Sequence, residues 1–196
     1  VDLILGYAGI VTLGHAMFFG FGAYSSGLLA NAGWGEPVVG LVFAGLLSAL
    51  LGFIVSFLIV RVQHLALLMI TLGLGLLTYE LANAMSWLTG GTDGLSVSVK
   101  PLLGMFEFDL WGRNAYTYAL IVLFLAVLFA RRLVHSPFGL ALRGVRENVV
   151  RMPAIGSLYR WHLQKIYTIS AGMAGMAGAM LAQTTGTISL DVLSFQ

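Results

Sequence analysis

Apolar residues in this chain fall into blocks much longer than a buried strand requires, and polar residues collect in the gaps between them. A helix that crosses a bilayer needs about 20 mostly apolar residues at roughly 1.5 Å rise each. Four blocks predict such helices. Residues 37–60 carry no charge, and 65–88 carry only Glu80. The block 115–134 is apolar until Arg131 and Arg132, whose long stems can snorkel. The block 166–183 is uncharged and dense in small residues. A fifth block, 3–30, is also uncharged but overlong, and it holds Gly6, Gly9, Gly14, Gly20, Gly22 and Gly27. It predicts a broken or re-entrant helix, which survives at membrane depth only where protein or a watery cavity satisfies the freed backbone groups.

Composition agrees with the pattern. Of 196 residues, 59% are hydrophobic and 9% charged, against about 25% charged in an ordinary soluble domain. Too few polar residues remain to cover a globule, and disorder would need the opposite balance. The expected fold class is all-α: a polytopic helical membrane protein with about five membrane segments, the glycine-rich first one broken. No repeat or linker divides it, so 1–196 reads as one transmembrane domain. The chain opens at Val1-Asp2 and closes at Phe195-Gln196 soon after an apolar stretch. It is therefore expected to be incomplete at both ends, with its span count a lower bound.

Charge placement predicts sidedness. The connector 131–165 carries seven basic residues against one acid, Glu147, whereas 87–114 carries Lys100 and Arg113 against Asp93, Glu107 and Asp109. By the positive-inside rule the first is cytoplasmic and the second lies on the outer face. Within the inner connector, Ser136-Pro137 suits a helix start, since serine can cap and proline at the first position loses nothing. Phe138, Leu142, Val145, Val149 and Met152 then recur at helical spacing on one face, with Arg143, Arg146, Glu147 and Arg151 largely elsewhere. Such a helix suits either anionic headgroups or a groove on a soluble partner. No motif points to nucleic acid.

Chemistry-bearing residues inside the spans are few. His15 is either a polar lining residue of a translocation path or a histidine hydrogen-bonded to a neighbouring helix. Glu80 has no intramembrane acidic partner and reads as a packing or mouth-lining residue. Ala171, Gly175 and Ala179, with Ala174 and Gly178, place small residues at i and i+4 for close helix contact. The outer motif Gly90, Gly91, Thr92, Asp93 and Gly94 is a tight turn or a contact surface for an external partner. With no cysteine, thiolate zinc and iron–sulfur sites are excluded. No P-loop lysine motif, HExxH or GxSxG is present, and the glycines do not follow a strand as a dinucleotide site requires. No enzymatic activity, metal or cofactor is expected of this chain.

Several blocks together resemble the membrane-spanning permease subunits of branched-chain amino acid ABC importers. They are Leu5 to Gly9, Thr12 to Ala16, Phe19 to Tyr24, Thr71 to Gly73, Leu88 to Leu95 (LTGGTDGL), and Ser136 to Gly139 with Ala141-Leu142-Arg143 and Arg146-Glu147-Asn148. They occur in the family's order and cover nearly the whole chain. The resemblance implies transport of branched-chain amino acids across a bacterial inner membrane, with urea or short amides, or a passive channel, as alternatives. It implies a second related permease, two ABC ATPase subunits that hydrolyse ATP, a periplasmic binding protein and surrounding lipid as partners. It further implies that 131–165 is the ATPase-coupling loop, carried by Ser136, Phe138, Leu142, Arg143, Arg146, Glu147, Ala154 and Gly156. Tyr7, Thr12, His15 and Thr71 are the expected pathway-lining residues. The chain departs from the family at Ile10, at Leu76, and at Pro153-Ala154-Ile155-Gly156, where the usual glutamate is a proline.

Overall fold

A computed structural model describes residues 3–9, 12, 14–62, 65–91, 94–98, 113–147, 152, 156 and 158–193. Their architecture is helical. A π-helical turn, Leu3–Ala8, precedes α1 (His15–Asn31). Then come α2 (Pro37–Ile59), α3 (Leu65–Ala84), the single turn α4 (Ser86–Thr89), α5 (Arg113–Val134), α6 (Pro137–Glu147) and α7 (Tyr159–Thr185). The first block is thus broken as predicted. Gly9 sits at φ +68°, a left-handed conformation that turns the chain out of its opening helix.

Among the described residues three helices, α2, α3 over Ala66–Ala84 and α5, are long and apolar enough to cross a membrane. By length and composition these account for three of the five expected segments. The two others differ for physical reasons. With 17 residues, α1 is shortened by the break before His15. Across its 27 residues, α7 carries Arg160 and Lys165 near its start and glycine, serine, threonine and glutamine thereafter.

Those small residues bring α1, α2 and α7 together into the most extensive helix contacts of the molecule. A Cβ built on Gly22 would lie 2.2 Å from the Gly175 carbonyl oxygen, and one on Gly178 would lie 1.8 Å from the Phe19 oxygen. Backbone meets backbone there, which is how helices gain van der Waals contact where the surrounding solvent is as apolar as their side chains. The predicted small-residue face of 171–179 is therefore a helix interface.

Buried side chains gather in two clusters, one at each end of this core. Ile4, Phe18, Ile59, Leu142, Val145, Leu163 and Tyr167 belong to the first, and Ala23, Tyr24, Val97, Ile188, Leu190 and Leu193 to the second. A two-stranded antiparallel ribbon, β1 (Leu95–Ser96) with β2 (Thr187–Ile188), closes the second end. Large apolar side chains elsewhere point outward, among them Leu46, Leu50 and Ile54 on α2 and Leu123 and Phe124 on α5.

Candidate functional site: a buried polar cluster and the basic helix α6

Between α1 and α7 a polar cluster lies buried among apolar surroundings. His15 is 8% exposed. Its Nδ1 hydrogen-bonds the Thr12 hydroxyl at 3.0 Å and its Nε2 the Ser170 hydroxyl at 2.9 Å. Both ring nitrogens are thereby engaged, and the ring meets Phe18 and Tyr167 edge-on. Thr71 of α3 is buried nearby and donates its hydroxyl to the Leu68 carbonyl. A Cβ on Gly14 would touch both Thr71 and the Tyr167 hydroxyl, at 3.5 and 3.4 Å. The Tyr167 hydroxyl is buried without a hydrogen-bond partner among the described residues. Three of the four expected lining residues, Thr12, His15 and Thr71, thus converge. Tyr7 does not join them; it lies beside α6. An open groove of about 430 Å³ reaches the cluster from one side, lined by His15, Phe19, Ser170, Met173, Ala174 and Ala177.

After α5, Pro137 opens α6 as its chemistry suggested. The Ser136 hydroxyl, however, turns back to donate to the Leu133 carbonyl at 2.6 Å instead of capping forward. A Cβ on Gly139 would lie 2.0 Å from the Val134 oxygen, so this turn requires glycine. The apolar ridge points inward: Leu142 and Val145 are 1% exposed, Met152 is buried, and Phe138 stacks on the His162 ring at 5.6 Å. Arg143 and Arg146 turn toward the opening turn of the chain: the Arg143 guanidinium lies over the Tyr7 ring at 5.3 Å, and Arg146 donates to the Gly6 carbonyl. Glu147 is exposed, and Gly156 adopts φ +76°. Ala154, Val149 and Pro153 lie outside the described residues.

The outer motif is shaped by its backbone. Gly90, Gly91 and Gly94 all have positive φ, +76°, +57° and +78°. Thr89 donates its hydroxyl to the Ala82 carbonyl at 2.7 Å and accepts from the Gly91 N–H at 3.3 Å. Asn31 at the end of α1 donates to the Ser96 carbonyl and accepts from the Ser98 N–H, tying the loop to the core. Thr92 and Asp93 lie outside the described residues. Glu80 is exposed on α3.

Sequence reasoning missed a second polar node. The Gln183 side-chain nitrogen donates to the Pro37 carbonyl at 2.9 Å and to the Ser26 hydroxyl at 3.2 Å, while its oxygen accepts from Tyr118. One side chain so links α1, α2, α5 and α7. The available signal was an uncharged amide closing an otherwise apolar block.

Long apolar helices, a broken first segment and polar clusters buried between helices define a polytopic helical membrane protein. The sequence profile of the family described as "Branched-chain amino acid transport system / permease component" matches residues 1–196, and the chain belongs to that family. It is 29% identical over 218 residues to the high-affinity branched-chain amino acid transport system permease protein LivM of Escherichia coli K12, covering all of this chain and 51% of that protein. The LivM protein of Salmonella typhimurium gives the same identity and coverage. A probable branched-chain amino acid transport permease LivM of Methanocaldococcus jannaschii is 26% identical, over 96% of this chain and 64% of that protein. The chain spans about half the length of the first two relatives. No solved structure matches.

Proposed function

We propose that this chain is the membrane-embedded part of a permease for branched-chain amino acids in an ATP-driven importer. The family match across residues 1–196 is the observation that carries the reading, supported by relatives whose names specify those solutes. In this reading the permease pairs with a second, related permease and with two ATPase subunits at the inner face, and a periplasmic binding protein delivers the solute. Residues 131–165 face the cytoplasm, as their basic excess favours.

The geometry supports an alternating-access mechanism. The groove leading to His15 and Ser170 is open in the single chain and offers a polar pair among small residues. A second permease facing it would complete a path in which broken-helix backbone groups and these side chains meet a zwitterion. At the inner end, α6 buries its apolar ridge against the core and so forms a firm handle for a motor subunit. ATP drives such a cycle only through its differential affinity for the closed ATPase pair.

Reconstitution of the full-length permease with its partner subunits in proteoliposomes tests this. Labelled leucine or valine should accumulate with ATP and binding protein and not without either. Uptake without ATP would make the protein a passive channel, and uptake of urea in place of leucine would reassign the substrate.

A further inference from the structure

The two arginines of α6 that resemble an ATPase-facing pair point back into their own chain. Arg146 donates to the carbonyl of Gly6, and a Cβ on Gly9 would lie 3.1 Å from Arg146 Cγ and 3.8 Å from its Cβ. Arg143 covers the Tyr7 ring. Nearby, Ile4 is 1% exposed and shares a cluster with Leu142 and Val145. The contact therefore has an apolar floor and a cationic cover. A carbonyl in the opening turn suits such a donor, since a helix leaves its last four carbonyls without intrahelical partners. Gly9, left-handed, follows this contact, and six residues later His15 begins α1 in the polar cluster.

We infer that Arg146, assisted by Arg143, is a positioning residue that clamps α6 to the opening turn, so that the two move as one lever and Gly9 passes that motion to the His15 end of α1. The inference rests on the importer reading for its role, although the clamp itself does not. Covalent continuity alone would deliver motion of α6 to α5 and α7; the clamp adds the broken segment, which is otherwise remote in sequence. Direct ATPase contact by the same arginines is the competing assignment.

Residues 1–196 carry no cysteine, so an introduced pair can exchange clamp for bond without a competing thiol in this stretch. The Gly9–Arg146 Cβ separation of 3.8 Å is also the usual disulfide value, about 3.8 Å. In the full-length transporter, Gly9→Cys/Arg146→Cys is compared with Gly9→Cys alone, which controls for strain at φ +68°. Reduced, the double variant should lose about tenfold in ATP-driven uptake, the weight of one charge-assisted hydrogen bond. Oxidised, it should return to the level of the single variant. An oxidised form as inactive as the reduced one, or a reduced form as active as the single variant, overturns the lever.

A second measurement is independent of transport. In the assembled complex in nanodiscs, Arg146→Ala should speed amide hydrogen exchange of residues 3–9 by about tenfold, and Arg146→Lys by less, because lysine keeps a donor but not the fork. Unchanged exchange overturns the clamp. If wild-type protein shows no ATP-driven uptake while exchange responds as stated, the importer reading fails and the clamp stands.

Discussion

Two helical regions of this chain behave in opposite ways. The contact among α1, α2 and α7 is built from glycine, alanine and serine, and its residues are buried until backbones touch. By contrast, α5 is built from leucine, phenylalanine and valine, and of its residues only Tyr118 and Val134 are buried. Hydrophobicity does not separate them, because lipid rewards an apolar side chain wherever it points. What separates them is shape: small residues allow close approach and polar groups demand partners. In this molecule α2, the most hydrophobic of the candidate spans, lies in the centre, and the less hydrophobic α5 lies on the flank.

The comparison can be broken most forcefully at Gly178. A Cβ there already meets the Phe19 carbonyl, so Gly178→Leu should prevent the core from closing and abolish recovery of folded protein in gentle detergent. Recovery at wild-type yield would show that α7 does not seat on α1. Gly175→Leu should act in the same direction more mildly, because its closest contacts are side-chain atoms, Ser48 Oγ at 2.1 Å and Cβ at 2.3 Å, with backbone no nearer than the Ala44 oxygen at 3.0 Å. We expect a loss of about 1–3 kcal/mol, read as a lower thermal midpoint and lower assembly yield.

Gln183→Leu tests whether polar glue contributes beside close packing. It removes the amide acceptor from the Tyr118 hydroxyl, which keeps the Pro37 carbonyl at 3.4 Å, and one donor from that carbonyl, which should cost about 0.6–2 kcal/mol, the range found for hydrogen bonds between membrane helices. Pairing it with Tyr118→Phe should cost less than the two single changes added together. Additive losses would show that the groups do not act as one node. On the flank, Phe124→Ala should shift stability by about 0.5 kcal/mol or less, as for an exposed site. A larger loss in the assembled transporter than in the isolated permease would sharpen the comparison by identifying α5 as a partner-facing helix.

Much of this was legible from residue order. Block lengths gave α2, α3 and α5 nearly to their ends, since a crossing helix must satisfy every backbone group within itself and therefore needs a long apolar run. Six glycines in one block announced a broken first segment, and Ser136-Pro137 announced α6. The ridge of Leu142 and Val145 faced the core as its spacing required. Helical period fixes which residues share a face, although it leaves open what that face meets.

Tertiary structure alone decided the partners. His15 and Ser170, 155 residues apart, meet because α1 and α7 come within backbone contact, and no local pattern encodes which helix answers a lone histidine. Tyr7 shares a segment with His15 yet lies under Arg143, because a single left-handed glycine between them redirects the chain. The arginines of α6 illustrate the same limit: sequence placed two cations on an amphipathic helix, and the fold chose the carbonyl and the ring that receive them. Period and composition are local properties of a chain, whereas a hydrogen-bond partner is chosen by packing between segments distant along it.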